Sequence, residues 1–212
     1  MKRLFLAVAV LAMSISLSRV EVFAHVPYFE HRDFTQEQPF KVRKSIEQSI
    51  AVYAWLKFED SYTEDIDVYT FELTAPVRVF IQSLVPECDR YKKFLPWFAI
   101  VGPGLPEPGY TVPVDIPPGC GAVVVENYDP EEDRPTFYEP FGGKSYYQGP
   151  EFDQILDEPG TYFVYFWDPY SLGGDYVAVL GYEETWESDD ILRALIYTPM
   201  IRRDKELHTD CR

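Results

Sequence analysis

The chain has 212 residues, with 35 Asp plus Glu against 19 Lys plus Arg and a formal charge of -16. That balance excludes a nucleic-acid binder, which needs a net basic surface for phosphate, and it argues against docking on anionic lipid. With 46% hydrophobic and 17% aromatic residues it is a folded domain rather than a disordered acidic chain, and its length suits one core rather than two.

Residues 1–24 read as a secretory signal. Lys2 and Arg3 form a charged start, Leu4 to Leu17 is apolar apart from scattered Ser, and Val22 and Ala24 hold the small-residue positions before His25. The apolar stretch is about fourteen residues, short of the roughly 20 that a spanning helix needs. Cleavage after Ala24 removes three cations and one anion, moving the charge from -16 to -18. The expectation is an exported protein, whether secreted, periplasmic or held at the cell surface. Its mature part has no transmembrane anchor, since the apolar runs near Ala99 and Ala122 are broken by Gly and Pro.

Residues 25–48 form an N-terminal segment ahead of the main domain, which spans 49–182. Within that domain short apolar or alternating runs are punctuated by Pro and Gly. Ser49 to Phe58 is apolar and aromatic. In 67–73 the alternation places Tyr69, Phe71 and Leu73 on one face, with Asp67, Thr70 and Glu72 elsewhere. Val77, Val79 and Ile81 repeat the pattern after Pro76, which starts a strand where a missing N–H is tolerated.

Cys88 and Cys120 follow, both at proline-bearing loop positions 32 residues apart. In an oxidising compartment they are expected to bridge, contributing roughly 3–4 kcal/mol by loop-closure entropy and leaving Cys211 as a free thiol or an intermolecular link. Trp97 to Gly102 and Gly121 to Glu126 suit strands covered on both faces. Between them 102–109 is too rich in Pro and Gly for regular structure, and 129–135 and 140–150 read as further loops. A late pair of strands, Thr161 to Trp167 and Asp175 to Gly181, is joined by a turn to which Gly173 and Gly174 can supply positive φ. The pattern predicts an all-β antiparallel sandwich with long loops.

One helix closes the chain within 183–212. Ser188 is its expected cap, Asp189 and Asp190 suit its positive end, and Pro199 ends or kinks it. Ile191, Leu192, Leu195 and Ile196 form an apolar stripe predicted to pack on the sandwich.

Asp67-Val-Tyr-x-Phe71, Glu158-Pro-Gly-Thr-Tyr162 and Gly174-Asp-Tyr176-x-Ala-Val together resemble the bacterial pre-peptidase C-terminal domain over roughly residues 49 to 182. The resemblance implies a secreted, jelly-roll-like β-sandwich module, in a class where structural calcium occurs. This chain departs from it in a long insert between Cys88 and Tyr147, in its C-terminal helix and in carrying no catalytic domain.

Nothing in the chain sets out a nucleophilic triad, since the three histidines His25, His31 and His208 all lie near the termini. No catalytic residue is therefore assigned. Calcium is the best-motivated cofactor, with Asp129, Glu131 and Asp133 at one loop tip and Asp168 and Asp175 around the late turn as candidate ligands. Cleavage after Ala24 would also offer the amine and imidazole of His25, with His31, to Cu(II). That arrangement resembles the N-terminal histidine of secreted copper-dependent polysaccharide monooxygenases. Tyr128, Tyr138, Tyr146, Tyr147, Trp167 and Tyr170 are candidate rings for stacking on sugars or for protein hot spots. The expectation is a non-enzymatic binding module for an extracellular protein or carbohydrate. The alternatives are a copper-binding protein and a carbohydrate-active enzyme with a carboxylate pair, of which no spacing selects a member.

Overall fold

A computed structural model describes residues 25–57, 65–129, 131–203 and 211. The expected export segment lies outside them. The described residues form eleven strands in two sheets and one α-helix. The first sheet runs in the order β1 (Val26–Phe29), β3 (Ile50–Leu56), β11 (Gly174–Leu180), β5 (Val77–Pro86), β9 (Lys144–Leu156) and β8 (Thr136–Glu139). The second runs β2 (Phe40–Lys41), β4 (Ile66–Leu73), β10 (Gly160–Trp167), β6 (Trp97–Pro103) and β7 (Cys120–Val125). The protein is thus a two-sheet β-sandwich. Two edge pairings, β1 with β3 and β2 with β4, are parallel, so the sheets are not antiparallel throughout.

Period-two alternation sorts the side chains. Val52, Ala54 and Leu56 of β3, and Tyr176, Ala178 and Leu180 of β11, enter the core between the sheets. Tyr69, Phe71 and Leu73 meet them from β4, and Tyr162, Val164 and Phe166 from β10. Asp67 has the same parity as Tyr69 and is buried with it, 1% exposed, instead of lying on the other face.

Both sheets are also covered outside. Val114 and Ile116, in the irregular stretch before β7, pack over Val68, Val101 and Tyr165 of the second sheet. On the first sheet Ala51, Tyr53, Val177 and Val179 receive Ile201 from the helix. β7 itself is an edge strand and only Gly121 and Ala122 in it are fully covered, because no strand pairs beyond it.

Residues 136–156, partly expected to be loop, form the β8–β9 hairpin, and β9 carries Gly149 and Pro150 inside it. Its register with β5 shifts between Gln82 and Leu84, an irregularity that accommodates a proline without a ladder N–H. A Cβ on Gly149 would sit 2.2 Å from Ser83 Oγ, so glycine is required for that approach.

Helix α1 (Ser188–Ile201) begins at the residue expected to cap it, so its cap lies one residue earlier than expected. Glu187 is the N-cap, in a capping box with Asp190, and Ser188 is the first helical residue. Pro199 neither ends it nor stands outside it; the helix continues to Ile201. No helix among the described residues is long and apolar enough to cross a membrane.

Candidate functional site

The disulfide joins Cys88 to Cys211, a separation of 123 residues, and corrects the expected Cys88–Cys120 pair. Cys120 starts β7 at the edge of the second sheet and is free. Cys88 instead ties the end of β5 to the tail beyond the helix, and both its sulfur and that of Cys211 lie against the core. The bridge fixes Cys211 against the sandwich.

Two of the candidate calcium ligands, Asp168 and Asp129, bond the backbone of their own loops, and Asp175 and Glu131 bond separate partners. Asp168, 3% exposed, accepts N–H bonds from Tyr170 at 3.0 Å and Gly173 at 2.8 Å, with Leu172 N–H beside them. Ser171 and Gly173 in that turn have positive φ. Buried Asp175 accepts from the Tyr91 hydroxyl at 2.6 Å. Asp129 accepts the Glu131 N–H at 2.8 Å, and Glu131 pairs with Lys93 at 2.9 Å. Asp133 is exposed. Among the described residues no three His, Cys, Asp or Glu side chains gather as a metal site.

His25 and His31 flank opposite ends of β1. An extended strand advances about 3.3 Å per residue, so their imidazoles do not converge on one ion. His25 bonds Ser49 Oγ, and burial pushes it down to about 4. His31 bonds the Tyr197 hydroxyl at 3.1 Å.

The candidate aromatics do not make one strip. Tyr146 and Trp167 are core residues. The Tyr147 ring is covered by the Arg134 guanidinium at 4.2 Å, and Tyr128 is half-buried. Tyr138 and Tyr170 are exposed on separate elements.

A carboxyl pair that sequence reasoning missed lies at one end of the sandwich. Glu30, after β1, lies within range of the charge of Asp67, which starts the buried part of β4. Glu30 also accepts the Trp55 N–H at 2.9 Å. Tyr176 donates to Asp67 at 2.7 Å, and Tyr69 lies 2.9 Å from the Tyr176 hydroxyl. Burial first, then the charges of Asp33 and Asp65, push Glu30 up to about 7. Burial and the Glu30 charge push Asp67 well above the carboxylate range. Two carboxyls this close in effect titrate as a pair rather than singly. Asp67 is sealed inside the core, so this pair does not face a cleft in which a sugar ring could sit.

The conspicuous surface is the helix. Ile191, Leu192, Leu195 and Ile196 are exposed, by 52%, 59%, 69% and 54% respectively, and this corrects the expectation that they pack on the sandwich. The inward face is Asp190, Ala194 and Ile201. Asp190 decides that choice. Fully buried, its carboxylate receives Lys44 at 2.8 Å, Gln48 at 2.9 Å, the Glu187 N–H at 3.0 Å and Arg193 at 3.2 Å. Burial pushes the group up, but these donors outweigh it and hold it below its ordinary value. Phe29 stacks on Tyr197 at 4.2 Å, and Arg193 covers Tyr28 at 4.2 Å. At the far end Ile201 lies over Gly142, where a Cβ would come within 2.9 Å.

With that face turned inward, 3.6-residue periodicity turns the aliphatic stripe and Pro199 outward. Beside the stripe runs a groove of about 510 Å³, with Phe141, Trp186 and Ala194 lining it together with Leu195 and Arg202. Trp186 meets Phe141 edge-on at 6.2 Å, and Arg202 donates to the Phe141 carbonyl at 2.9 Å.

The fold and this face define a β-sandwich that presents an apolar helix. Compared with known proteins, the chain matches no family model and no curated relative.

Proposed function

We propose that this protein is an exported, non-enzymatic interaction module that docks a protein through the outer face of α1. One observation carries the reading: four large aliphatic side chains stand contiguous and exposed beside an apolar groove, on a helix otherwise fixed firmly to the sandwich. Isolated exposed apolar residues are ordinary, whereas a contiguous patch on a polar surface marks an interaction site. A protein partner fits better than a carbohydrate, because the face is aliphatic and the candidate sugar-stacking rings are dispersed or buried. Residues 1–24 and the disulfide support export. The pre-peptidase-like identity of the sandwich belongs to the same proposal, supported by its two sheets and the Tyr176 and Tyr162 motifs in β11 and β10.

A fluorescent apolar dye tests the reading in dilute protein. Leu195→Glu with Ile191→Glu should abolish dye binding while the thermal melt stays in place. Dye binding equal in the wild type and the double variant overturns the docking face.

A further inference from the structure

Resting on that reading, we propose that the occupant of the face is a second copy of this chain, packed antiparallel about a twofold axis beside Leu195. Two independent patterns on the helix share this centre. The outward apolar stripe runs from Ile191 to Pro199, and Leu195 is its midpoint. The exposed charges run from Glu187 and Asp189, both of which also pair with Lys44, at one end to Arg202 and Arg203 at the other, and Leu195 again lies midway.

A half-turn about Leu195 therefore lays stripe on stripe and sets the acidic end of each helix against the basic end of its copy. An isologous interface needs this self-complementarity, in which each residue's counterpart is supplied by the same surface. Parallel packing would oppose acid to acid and base to base. Lys44 and Arg193 offset part of the acidic end, yet the exposed Glu183, Glu184, Glu187 and Asp189 outnumber them there. Arg202 donates its Nε–H to Phe141 and is otherwise exposed, as is Arg203. Antiparallel helix dipoles add to the same preference.

Shape agrees with charge. The rows Ile191–Leu195–Pro199 and Leu192–Ile196 follow the i, i+4 spacing that forms packing ridges. The groove lined by Phe141 and Trp186 lies along the first row and has room for aliphatic side chains of the second row from a copy. The formal charge of -16 opposes association at long range, so attraction is confined to the orientation that matches the ends. The same charge disfavours an anionic lipid surface as the occupant.

Sedimentation of the disulfide-intact protein across micromolar concentrations is the test. The wild type should show a reversible monomer–dimer equilibrium. Leu195→Glu places two carboxylates at the axis and should weaken it at least about tenfold. Arg202→Glu with Arg203→Glu should weaken it too, and mixing that variant with Asp189→Lys should restore a heterodimer. These positions are exposed, and an unchanged melt for each variant checks its fold. A monomeric wild type overturns the second copy; the apolar dye then separates the two failures, since retained dye binding leaves the docking face to another protein and absent dye binding removes both. A dimer indifferent to Leu195→Glu, or no rescue on mixing, also overturns the antiparallel arrangement.

Discussion

Glu30→Gln should change how stability depends on pH more than it changes stability at any one pH. In the folded protein Glu30 keeps its proton up to about 7, against an ordinary value of 4.5. Between those values the folded state holds a proton that the unfolded chain releases, so stability falls as pH rises. Each pH unit of that difference is worth about 1.36 kcal/mol, giving a total on the order of 3 kcal/mol that is present below pH 4.5 and lost above pH 7. His25 acts in the opposite sense. Burial lowers it to about 4 from 6.5, so its contribution is present above 6.5 and lost as pH falls towards 4. The wild-type curve therefore conceals both, and the difference between wild type and Glu30→Gln cancels His25 and reports Glu30 together with its effect on Asp67. Glutamine imitates the protonated acid and can keep the Trp55 N–H bond. Urea unfolding at intervals from pH 4 to pH 8 should show the wild type losing, relative to the variant, on the order of 3 kcal/mol as pH rises. A difference that stays flat, or that grows in favour of the wild type, would refute the raised protonation of Glu30 beside Asp67.

Three further outcomes follow from the packing. Leu195→Ala should move stability by less than about 0.5 kcal/mol, whereas Ile201→Ala should cost about 2–5 kcal/mol, because only the second fills space in the sandwich; paired urea curves at a concentration that keeps the protein monomeric compare them. Non-reducing peptide mapping should recover the Cys88–Cys211 linkage with Cys120 alkylated, and Cys211→Ser should cost about 3–5 kcal/mol for a closed loop of 123 residues. Asp190→Ala should cost about 2–4 kcal/mol and raise hydrogen exchange across α1, since it strands Gln48 and Lys44 and opens the capping box.

The interior strands were readable because their alternation is long and their faces are chemically unlike. β4, β5, β10 and β11 each run at least seven residues, enough for period two to declare itself. β1 and β2 have four and two residues, and their parallel partners lie far along the chain, so no local pattern could reveal them. Gly149 and Pro150 disguised β9 as a loop, because their fit depends on the irregular register opposite Ser83. For Asp67 the parity was visible and the charge misled; Glu30 had no signal at all, since its partner comes from another sheet. The helix existed in the sequence, but its orientation did not. An apolar stripe normally turns inward, and here a buried aspartate held by Lys44, Gln48 and Arg193 turns the opposite face to the sandwich. Those partners are remote in sequence except Arg193. The same remoteness hid the pairing of Cys88 with Cys211, for which the nearer Cys120 was the obvious candidate.

A photocrosslinking side chain placed at residue 195 tests the docking face most directly, with residue 155 as the control. Ile155 is equally apolar and 64% exposed, but it stands alone on β9 rather than in a stripe. Illumination of the protein should give discrete covalent protein adducts from position 195, a crosslinked homodimer among them, and none from position 155. Equal labelling at the two positions, or no adduct at 195, would contradict the account.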